Sequence, residues 1–363
     1  MRIVILVSGL PPHYLGGTET QTYNMAGHLA RSGHKVLVVT RSVPGTPSEE
    51  KRNGFTIRRF RYINIPVLRF ISHFISSLRV LKGLRDETDV LQCMMVRPNG
   101  FVGAWARHLF GYRYLTWLRS EYRFFEKGKR LSAWMGRVAL RNSDVILTQT
   151  ERIREEVLAD YPDKKVIAVN NGIDIPKMRA AGNKIIFVGT LNDRKGCSDL
   201  ITALRMLHDA GMHLPETTVI GDGPERKSLE RMAAGLPVSF VGRKVPAELM
   251  EYLLDGMFLV FPSKEGKGEG MPNAVLEGMS MGLPVIATRV AGVPDMITHG
   301  RTGFLVNPER PDEIAECMKR LIEDTGLRKR MSSNCLKDIR KFEWKNVISR
   351  LEREVYPLFA KHG

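Results

Sequence analysis

Two glutamates at a fixed interval are the side chains of this sequence best suited to bind a polar ligand. Seven residues separate Glu269, in a glycine-rich loop, from Glu277, inside the helix predicted to follow it. An ionised carboxylate can accept hydrogen bonds from two neighbouring hydroxyl groups at once. The pair therefore suits the hydroxyls of a ribose and of a hexose. Taken alone, such a pair is more often a solvated loop glutamate and a helix-surface glutamate.

A second candidate is the basic pair Arg194 and Lys195, in a loop just before the helix predicted over residues 198–207. A guanidinium can bind two phosphate oxygens, an ammonium acts as a point charge, and a helix N-terminus favours anions. These features together predict a diphosphate site. An Arg-Lys pair by itself is more often a solvated loop.

The elements around the glutamates would present them at the edge of a sheet. An apolar strand ends at Phe261, and Pro262 then breaks it, so the loop should emerge at the carboxyl edge of a parallel sheet, where α/β folds bind ligands. Gly266, Gly268 and Gly270 would let the backbone approach a ligand closely. The helix predicted over residues 273–281 would direct its free N–H groups and positive dipole end at the same loop.

The chain begins with a β-loop-α-β pattern over residues 2–40. Thr18 is the predicted N-cap of the helix, with Gln21 at the capping-box position. Gly16 and Gly17 would bring backbone amides to a phosphate, or would simply form a tight turn. The loop reads SGLPPHYLGGTE and lacks the GxGxxG pattern, which removes the usual support for a nicotinamide-dependent dehydrogenase.

Residues 67–81 predict an amphipathic helix, with His73 among the polar residues on the side opposite the apolar ones. Such a basic helix either lies in an anionic lipid interface or covers the sheet. Strands and helices alternate through the rest of the chain, which predicts an α/β fold.

Residues 262–306 read PSKEGKGEGMPNAVLEGMSMGLPVIATRVAGVPDMITHGRTGFLV. This segment resembles the signature of the retaining glycosyltransferases of family 4, which have the GT-B architecture. NGID at residues 171–174 and GDGP at 221–224 also resemble family motifs. The resemblance implies two Rossmann-like parallel-sheet domains facing each other across a cleft. Residues 1–174 would form the acceptor domain, with a C-terminal helix over 345–363 packing back on it, and residues 175–344 would form the nucleotide-sugar donor domain.

The resemblance also implies roles for individual residues. Glu277 would bind the ribose hydroxyls, Glu269 the sugar hydroxyls, and Arg194 and Lys195 the departing diphosphate, so that Arg194, Lys195 and Glu269 are the predicted catalytic residues. Predicted donor-binding residues are Gly16, Gly17, Gly189, Gly223, Arg243, Gly270, Met271, Pro272, Asn273 and Glu277.

The chain departs from the family pattern at two places. Many members have a histidine after the strand that ends here at Leu118, whereas this chain has Arg119 and Ser120. With His13, these two are the predicted acceptor or cleft residues; for Arg119 the alternative is an ordinary surface salt bridge. Family members usually begin the phosphate loop with Gly-Arg, but this chain has Gly189 and Thr190, so the phosphate charge should fall on Arg194 and Lys195.

The composition suggests where the protein works and what it meets. The formal net charge is +16, and three quarters of that excess lies in residues 1–176. We expect an anionic or lipid-linked acceptor and contact with the inner membrane surface, and no nucleic acid. The four scattered cysteines, the short apolar start and the lack of a long apolar run predict a cytoplasmic protein without structural zinc.

We therefore expect a retaining hexosyltransferase that uses a nucleotide-diphosphate sugar, with UDP favoured over GDP, and needs neither metal nor other cofactor. The acceptor would be a glycan, a lipid-linked molecule or a small molecule. One alternative is a GT-B epimerase or phosphorylase, which would act without an alcohol acceptor. The other is a non-catalytic basic module, whose binding would be wholly salt-sensitive and indifferent to nucleotide diphosphates.

Overall fold

The computed structural model describes residues 1–14, 16–66, 68–122, 130–264, 266 and 269–360. The chain divides into two compact units. Unit 1 comprises Met1–Gly172 and Trp344–Gly363, and unit 2 comprises Ile173–Glu343. The division lies two residues before the boundary expected at residue 174, and the C-terminal segment belongs to unit 1.

Unit 1 is built on a sheet of eight strands. The strands are β1 (Arg2–Leu6), β2 (Lys35–Arg41), β3 (Glu49–Arg52), β4 (Phe55–Phe60), β5 (Val90–Met94), β6 (Tyr114–Trp117), β7 (Val145–Thr148) and β8 (Val166–Ala168). The helices are α1 (Gly17–Arg31), α2 (Leu68–Leu84), α3 (Phe101–Phe110), α4 (Arg130–Asn142) and α5 (Glu151–Asp160). The order is β3-β4-β2-β1-β5-β6-β7-β8, and only the edge strand β3 is antiparallel to its neighbour.

Unit 2 is built on a parallel sheet of six strands. The strands are β9 (Lys184–Val188), β10 (Thr217–Ile220), β11 (Val238–Gly242), β12 (Gly256–Phe261), β13 (Val285–Thr288) and β14 (Gly303–Val306). The helices are α6 (Cys197–Asp209), α7 (Arg226–Met232), α8 (Pro246–Leu254), α9 (Asn273–Ser280), α10 (Val293–Met296), α11 (Pro311–Glu323) and α12 (Thr325–Asp338). The order is β11-β10-β9-β12-β13-β14.

Each sheet is covered on both faces, because successive side chains of a strand point to opposite sides. In β1, Ile3 and Ile5 join a core with α1, whereas Val4 and Leu6 join a second core with α2 and α3. The strand therefore carries an uninterrupted apolar run. The same alternation divides β9 between two cores of unit 2.

Both sheets have a doubly wound order, and the order reverses at one point in each. The reversal lies between β1 and β5 in unit 1 and between β9 and β12 in unit 2. At such a point the loops leaving two adjacent strands diverge to opposite faces and leave a crevice at the carboxyl edge. The topology thus singles out one crevice in each unit.

The start of α1 differs from the prediction. The helix begins at Gly17 with Gly16 as its N-cap, and no side chain caps it. Gln21 forms no capping box; its amide instead donates to the Gly172 carbonyl and accepts from the Gly172 N–H, both at 2.9 Å. A Cβ atom at Gly172 would lie 2.3 Å from the Trp344 ring. The Asn-Gly junction is therefore held by side-chain and ring packing within unit 1.

The C-terminal segment completes the first core of unit 1. Helix α13 (Trp344–Arg350) and the turns after it bury Leu351, Tyr356 and Phe359 against the sheet. The Tyr356 hydroxyl lies 3.3 Å from Gln92 Oε1 of β5. Removing this segment would expose a large apolar area of the core.

Helix α2 is turned differently from the prediction in its first half. His73 and Ser77 are buried, whereas Ile71 and Ile75 are 48% and 42% exposed. His73 is buried because Asn99 Oδ1 accepts a hydrogen bond from its Nε2 at 3.0 Å, which satisfies the polar group.

Candidate functional site

The loop after β9 carries the two cations at the reversal point of the unit 2 sheet. Asp193–Lys195 forms a single 3-10 turn, and Asn192 caps it by accepting from the Lys195 N–H at 3.3 Å. Gly196 ends the turn with φ +64°, a conformation that favours glycine. A Cβ atom there would also lie 2.0 Å from the Pro262 carbonyl oxygen. Close contact with the neighbouring loop therefore requires glycine at this position.

Glu269 joins the two loops through one carboxylate oxygen. Its Oε1 contacts Nη1 of Arg194 and lies 2.6 Å from Nζ of Lys195. The Ser263 hydroxyl lies 3.3 Å from the same oxygen. Glu269 is only 5% exposed. The three predicted catalytic residues thus form one ion-pair cluster, a juxtaposition that their separation of 75 residues in the sequence did not reveal.

Backbone contacts fix the cluster between the two loops. The Ser263 hydroxyl donates to the Arg194 carbonyl at 2.9 Å, and the Lys264 N–H donates to the same carbonyl at 2.9 Å. Thr288, at the end of β13, donates its hydroxyl to the Ser263 carbonyl at 2.5 Å. Sequence reasoning passed over Ser263 and Thr288. The signal for Ser263 was its place directly after Pro262, at the end of the apolar strand.

The cluster has a net positive charge, because two half-buried cations face one carboxylate. Burial lowers the pKa of Lys195, while the charge of Glu269 opposes that effect and the charge of Arg194 adds to it. The Lys195 ammonium also lies 5.1 Å from the centroid of the Phe261 ring. Two cations facing one carboxylate attract a further anion, and the reduced dielectric of the site strengthens that attraction.

Glu277 lies on α9, which begins at Asn273 with Pro272 as its N-cap. Burial raises the pKa of Glu277 to about 7. Among the described residues no side chain forms an ion pair or hydrogen bond with its carboxylate. A half-buried acid without a protein partner is suited to accept hydrogen bonds from a bound molecule.

The residues between the two glutamates are mostly enclosed. Gly270, Met271 and Pro272 are buried, and Asn273 is half-buried. The Gly270 carbonyl accepts from the Gly292 N–H at 3.0 Å, which ties this loop to the one after β13. Of the predicted glycines nearby, Gly266 has φ +68°, and Gly268 lies outside the described residues.

The glycines after β9 and β10 pack against each other. A Cβ atom at Gly221 would lie 1.8 Å from the Gly189 carbonyl oxygen, and one at Gly223 would lie 2.3 Å from the Leu191 carbonyl oxygen. The Leu191 N–H donates to the Asp222 carbonyl at 3.0 Å. The close packing of these two loops thus requires glycine at positions 221 and 223, whatever role the loops have in binding.

The remaining donor-binding candidates lie apart along the chain. Arg243 is exposed, directly after the edge strand β11. In unit 1, Gly16 and Gly17 are exposed at the start of α1, and the Glu19 carboxylate folds back over Gly16, where a Cβ atom would lie 2.2 Å from Oε2.

Arg119 follows β6 and is the acceptor candidate with the most altered electrostatics. Burial lowers its pKa to about 9, and the charge of Glu19 opposes this. Its guanidinium lies 5.2 Å from the Trp117 ring, and its Nε has no hydrogen-bond partner among the described residues. The alternative for Arg119 was an ordinary surface salt bridge, and the described residues form no such ion pair with it. Ser120 is half-buried with its hydroxyl 3.4 Å from the Glu121 carbonyl, and His13 is exposed.

The described residues include no group of three or more His, Cys, Asp or Glu side chains placed to hold a metal ion. They also include no helix long and apolar enough to cross a membrane.

Two family models match the chain, one in each unit. Residues 15–177 match the model "Glycosyltransferase Family 4", and residues 182–324 match "Glycosyl transferases group 1". The chain belongs to the GT-B glycosyltransferases. A protein of Methanocaldococcus jannaschii described as an uncharacterised glycosyltransferase is 27% identical over 381 residues, covering 96% of each chain.

Solved structures share the GT-B fold of this glycosyltransferase over almost its whole length. Sucrose-phosphate synthase from Thermosynechococcus elongatus superposes with a TM-score of 0.85 at 18% identity and covers 98% of this chain and 99% of that chain. Anabaena HepE in complex with UDP-glucose superposes with a TM-score of 0.78 at 17% identity, covering 98% and 100%.

Proposed function

We propose that this glycosyltransferase moves a hexose-type sugar from a nucleotide-diphosphate sugar to a hydroxyl group of its acceptor, with retention of configuration and without a metal ion. The observation that carries the proposal is the cluster of Arg194, Lys195 and Glu269 at the reversal point of the unit 2 sheet. Ligands of doubly wound sheets bind at that point.

The two cations would stabilise the departing diphosphate, where the reaction develops most negative charge. Glu269 holds both of them in place through Oε1, so they would be oriented before the donor arrives. An oriented charge needs no reorganisation during the reaction. Cations in these positions would do the work that a divalent metal does in other transferases, which is why we propose a metal-independent reaction.

The carboxylates would hold the sugars on either side of the diphosphate. Glu277 would accept from the ribose hydroxyls, and Glu269, with the N–H groups of Gly270 and Met271, would bind the transferred hexose. We propose UDP rather than GDP as the nucleotide, which agrees with the UDP-glucose bound by Anabaena HepE. The family resemblance suggests same-face attack, in which the leaving phosphate accepts the proton of the acceptor hydroxyl.

The test is transfer from radiolabelled UDP- and GDP-sugars in the presence of EDTA, with glycan, polyprenyl-phosphate and small-molecule acceptors. We expect labelled product with at least one UDP-sugar, and product formation slower by about 10²–10³ from the Lys195→Gln variant. The variant Lys227→Gln, on the exposed surface of α7, is the matched control and should retain activity. Release or isomerisation of the sugar without an acceptor would instead favour a phosphorylase or epimerase.

We also propose that unit 1 contacts an acidic membrane surface, with the acceptor lipid-linked. Of the described large apolar residues that are exposed, most lie between residues 63 and 134; they include Leu68, Ile71, Ile75, Trp105 and Trp134. On α2 these lie beside the exposed cations Arg69, Arg79 and Lys82. Apolar and basic side chains on one helix favour binding to anionic lipid.

Flotation with vesicles tests this surface. The chain should float with vesicles containing phosphatidylglycerol and not with pure phosphatidylcholine, and the double variant Ile71→Ser, Ile75→Ser should lose most of the bound fraction. Met206→Ser is the matched control, because Met206 is 44% exposed on α6 of unit 2. Equal loss in both variants, or binding to neutral vesicles, would contradict the proposal.

A further inference from the structure

A cavity of about 430 Å³ lies within unit 1, at the point where the order of its sheet reverses. Ser8 follows β1, and Arg97 follows β5, so the two loops that diverge at the reversal both line it. Arg41, the last residue of β2, and Arg69 and His73 of α2 complete its polar lining. This position is the one that the topology of a doubly wound sheet reserves for a ligand.

The described residues that line the cavity leave its positive charge uncompensated. Three of them are arginines, and none is an acid. Among the described residues no carboxylate forms an ion pair with Arg41, Arg69 or Arg97. The Nε atoms of Arg41 and Arg97 are buried and have no hydrogen-bond partner there. An unpaired cation is costly where it is partly buried, so the half-buried Arg41 and Arg97 are explained by an anion that binds between them.

Neighbouring side chains hold the Arg41 guanidinium in a fixed orientation. The Arg41 guanidinium lies between two aromatic rings, 4.3 Å from the centroid of Tyr14 and 4.9 Å from that of Tyr62. Stacking fixes the plane of the guanidinium while leaving its N–H edge available to an anion. Met95, two residues before Arg97, has φ +75°. A non-glycine residue in that region is strained, and such strain is typical of loops shaped for function.

His73 adds a neutral polar group to the lining. Asn99 donates to the Met94 carbonyl at 2.7 Å, so its Oδ1 accepts from His73 Nε2. Burial lowers the pKa of His73 to about 4, and the charge of Arg41 contributes. The imidazole is therefore uncharged at neutral pH and does not compete for the anion.

The size and the rest of the lining indicate more than a free ion. The cavity volume of about 430 Å³ is many times the roughly 30 Å³ that one water molecule takes in the liquid. A phosphate group, which is only a few times larger than a water molecule, therefore fills a small part of the cavity. Tyr62, Phe70 and Met135 line the remainder. Phe70 packs against Phe101 at 6.3 Å, and Phe101 packs against the exposed Trp134 at 5.6 Å. An apolar path thus leads from the cavity towards the surface.

We propose that this cavity binds the phosphate or diphosphate group of the acceptor, with the adjoining part of the acceptor on the aromatic lining. Three guanidinium groups match the charge of a phosphate or diphosphate better than that of a single carboxylate. That the phosphate belongs to the acceptor rests on the proposed function, whereas the affinity of the cavity for phosphate does not. The phosphate source is either a soluble sugar phosphate or a lipid phosphate.

Titration calorimetry on the full chain, with UDP in excess, tests the site. The probes are pyrophosphate, glucose 6-phosphate and farnesyl diphosphate, with glucose and farnesol as their neutral counterparts. We expect phosphorylated probes alone to bind. Arg41→Gln and Arg97→Gln should each weaken binding by about tenfold or more, the loss expected for a hydrogen bond to a charged group. Tighter binding of farnesyl diphosphate would identify the lipid source, and tighter binding of glucose 6-phosphate the soluble one.

Arg31→Gln is the matched control, because Arg31 is an exposed arginine of α1 that does not line the cavity. Arg69→Gln, at an exposed position, keeps the test valid if a buried variant fails to fold. Equal affinities in all variants, or a parallel loss of UDP affinity, would overturn the assignment. Phosphate binding without any sugar transfer would leave this site standing and remove the proposed function instead.

Discussion

The carboxylate of Glu277 should make the protein less stable, and Glu277→Gln should therefore stabilise it while abolishing donor binding. The carboxylate is half-buried, and its pKa is raised from 4.5 to about 7. A folded state that binds a proton more tightly than the unfolded chain loses stability as the pH rises between those two values. Removing the ionisable group removes that loss.

The magnitude follows from the two pKa values. The penalty is about 1 kcal/mol at pH 5, where only the unfolded chain is largely ionised, and about 3 kcal/mol at pH 8, where both states are. Above the folded pKa the penalty is constant. Glu277→Gln should thus raise the free energy of unfolding by an amount that grows from pH 5 to pH 8 and then stays level.

Urea unfolding between pH 5 and pH 9 measures this gain, and the same titration with UDP measures binding. For the parent protein, UDP at one hundred times its dissociation constant should add about 2.7 kcal/mol. For Glu277→Gln it should add almost nothing, because the amide is uncharged and keeps one acceptor oxygen, and its NH2 group cannot accept from the second ribose hydroxyl. Glu251→Gln, at an exposed position of α8, is the matched control and should change neither quantity.

Two results would refute this reasoning. If Glu277→Gln is less stable than the parent at pH 8, the carboxylate has a stabilising partner that the described contacts lack. If the variant keeps the full UDP stabilisation, Glu277 does not bind the ribose. A variant that is more stable than the parent and no longer binds UDP would instead show that the Glu277 carboxylate lowers stability but is needed for ligand binding.

Three further substitutions have expected outcomes. Lys195→Gln should lower kcat by about 10²–10³, as expected for loss of one oriented charge, and unchanged single-turnover rates would contradict this. Gly223→Ala places a Cβ atom 2.3 Å from the Leu191 carbonyl, so UDP affinity should fall together with the melting temperature; unaltered values of both would show that the two loops can separate. Gly172→Ala places a Cβ atom 2.3 Å from the Trp344 ring, so it should lower the melting temperature and leave the UDP affinity largely unchanged.

Much of the proposed donor site could be predicted from local sequence. The strand that ends at Phe261, the break at Pro262 and the helix after Pro272 are local signals, and they predicted the loop that carries Glu269. The forty-five residues of family resemblance then suggested the roles of the charged residues. Local signals sufficed because the chain there is one continuous strand-loop-helix unit.

The orientation of α2 could not be predicted in the same way. Its pattern placed His73 at the surface, but Asn99, 26 residues away, satisfies the imidazole inside the core. The apolar Ile71 and Ile75 remain outside. A helical pattern says which residues share a face, whereas the partner available to a polar residue decides which face is buried.

The sequence by itself determined the alternation of strands and helices, the family and the residue types of the proposed donor site, since these depend on nearby residues. Only the tertiary structure brought Arg194 and Lys195 onto the carboxylate of Glu269, and only it gathered Arg41 and Arg97 around one cavity. These contacts depend on the order of the strands in each sheet. Strands β9 and β12 are neighbours in the sheet although two other strands separate them in the chain, and β1 and β5 are neighbours although three strands separate them.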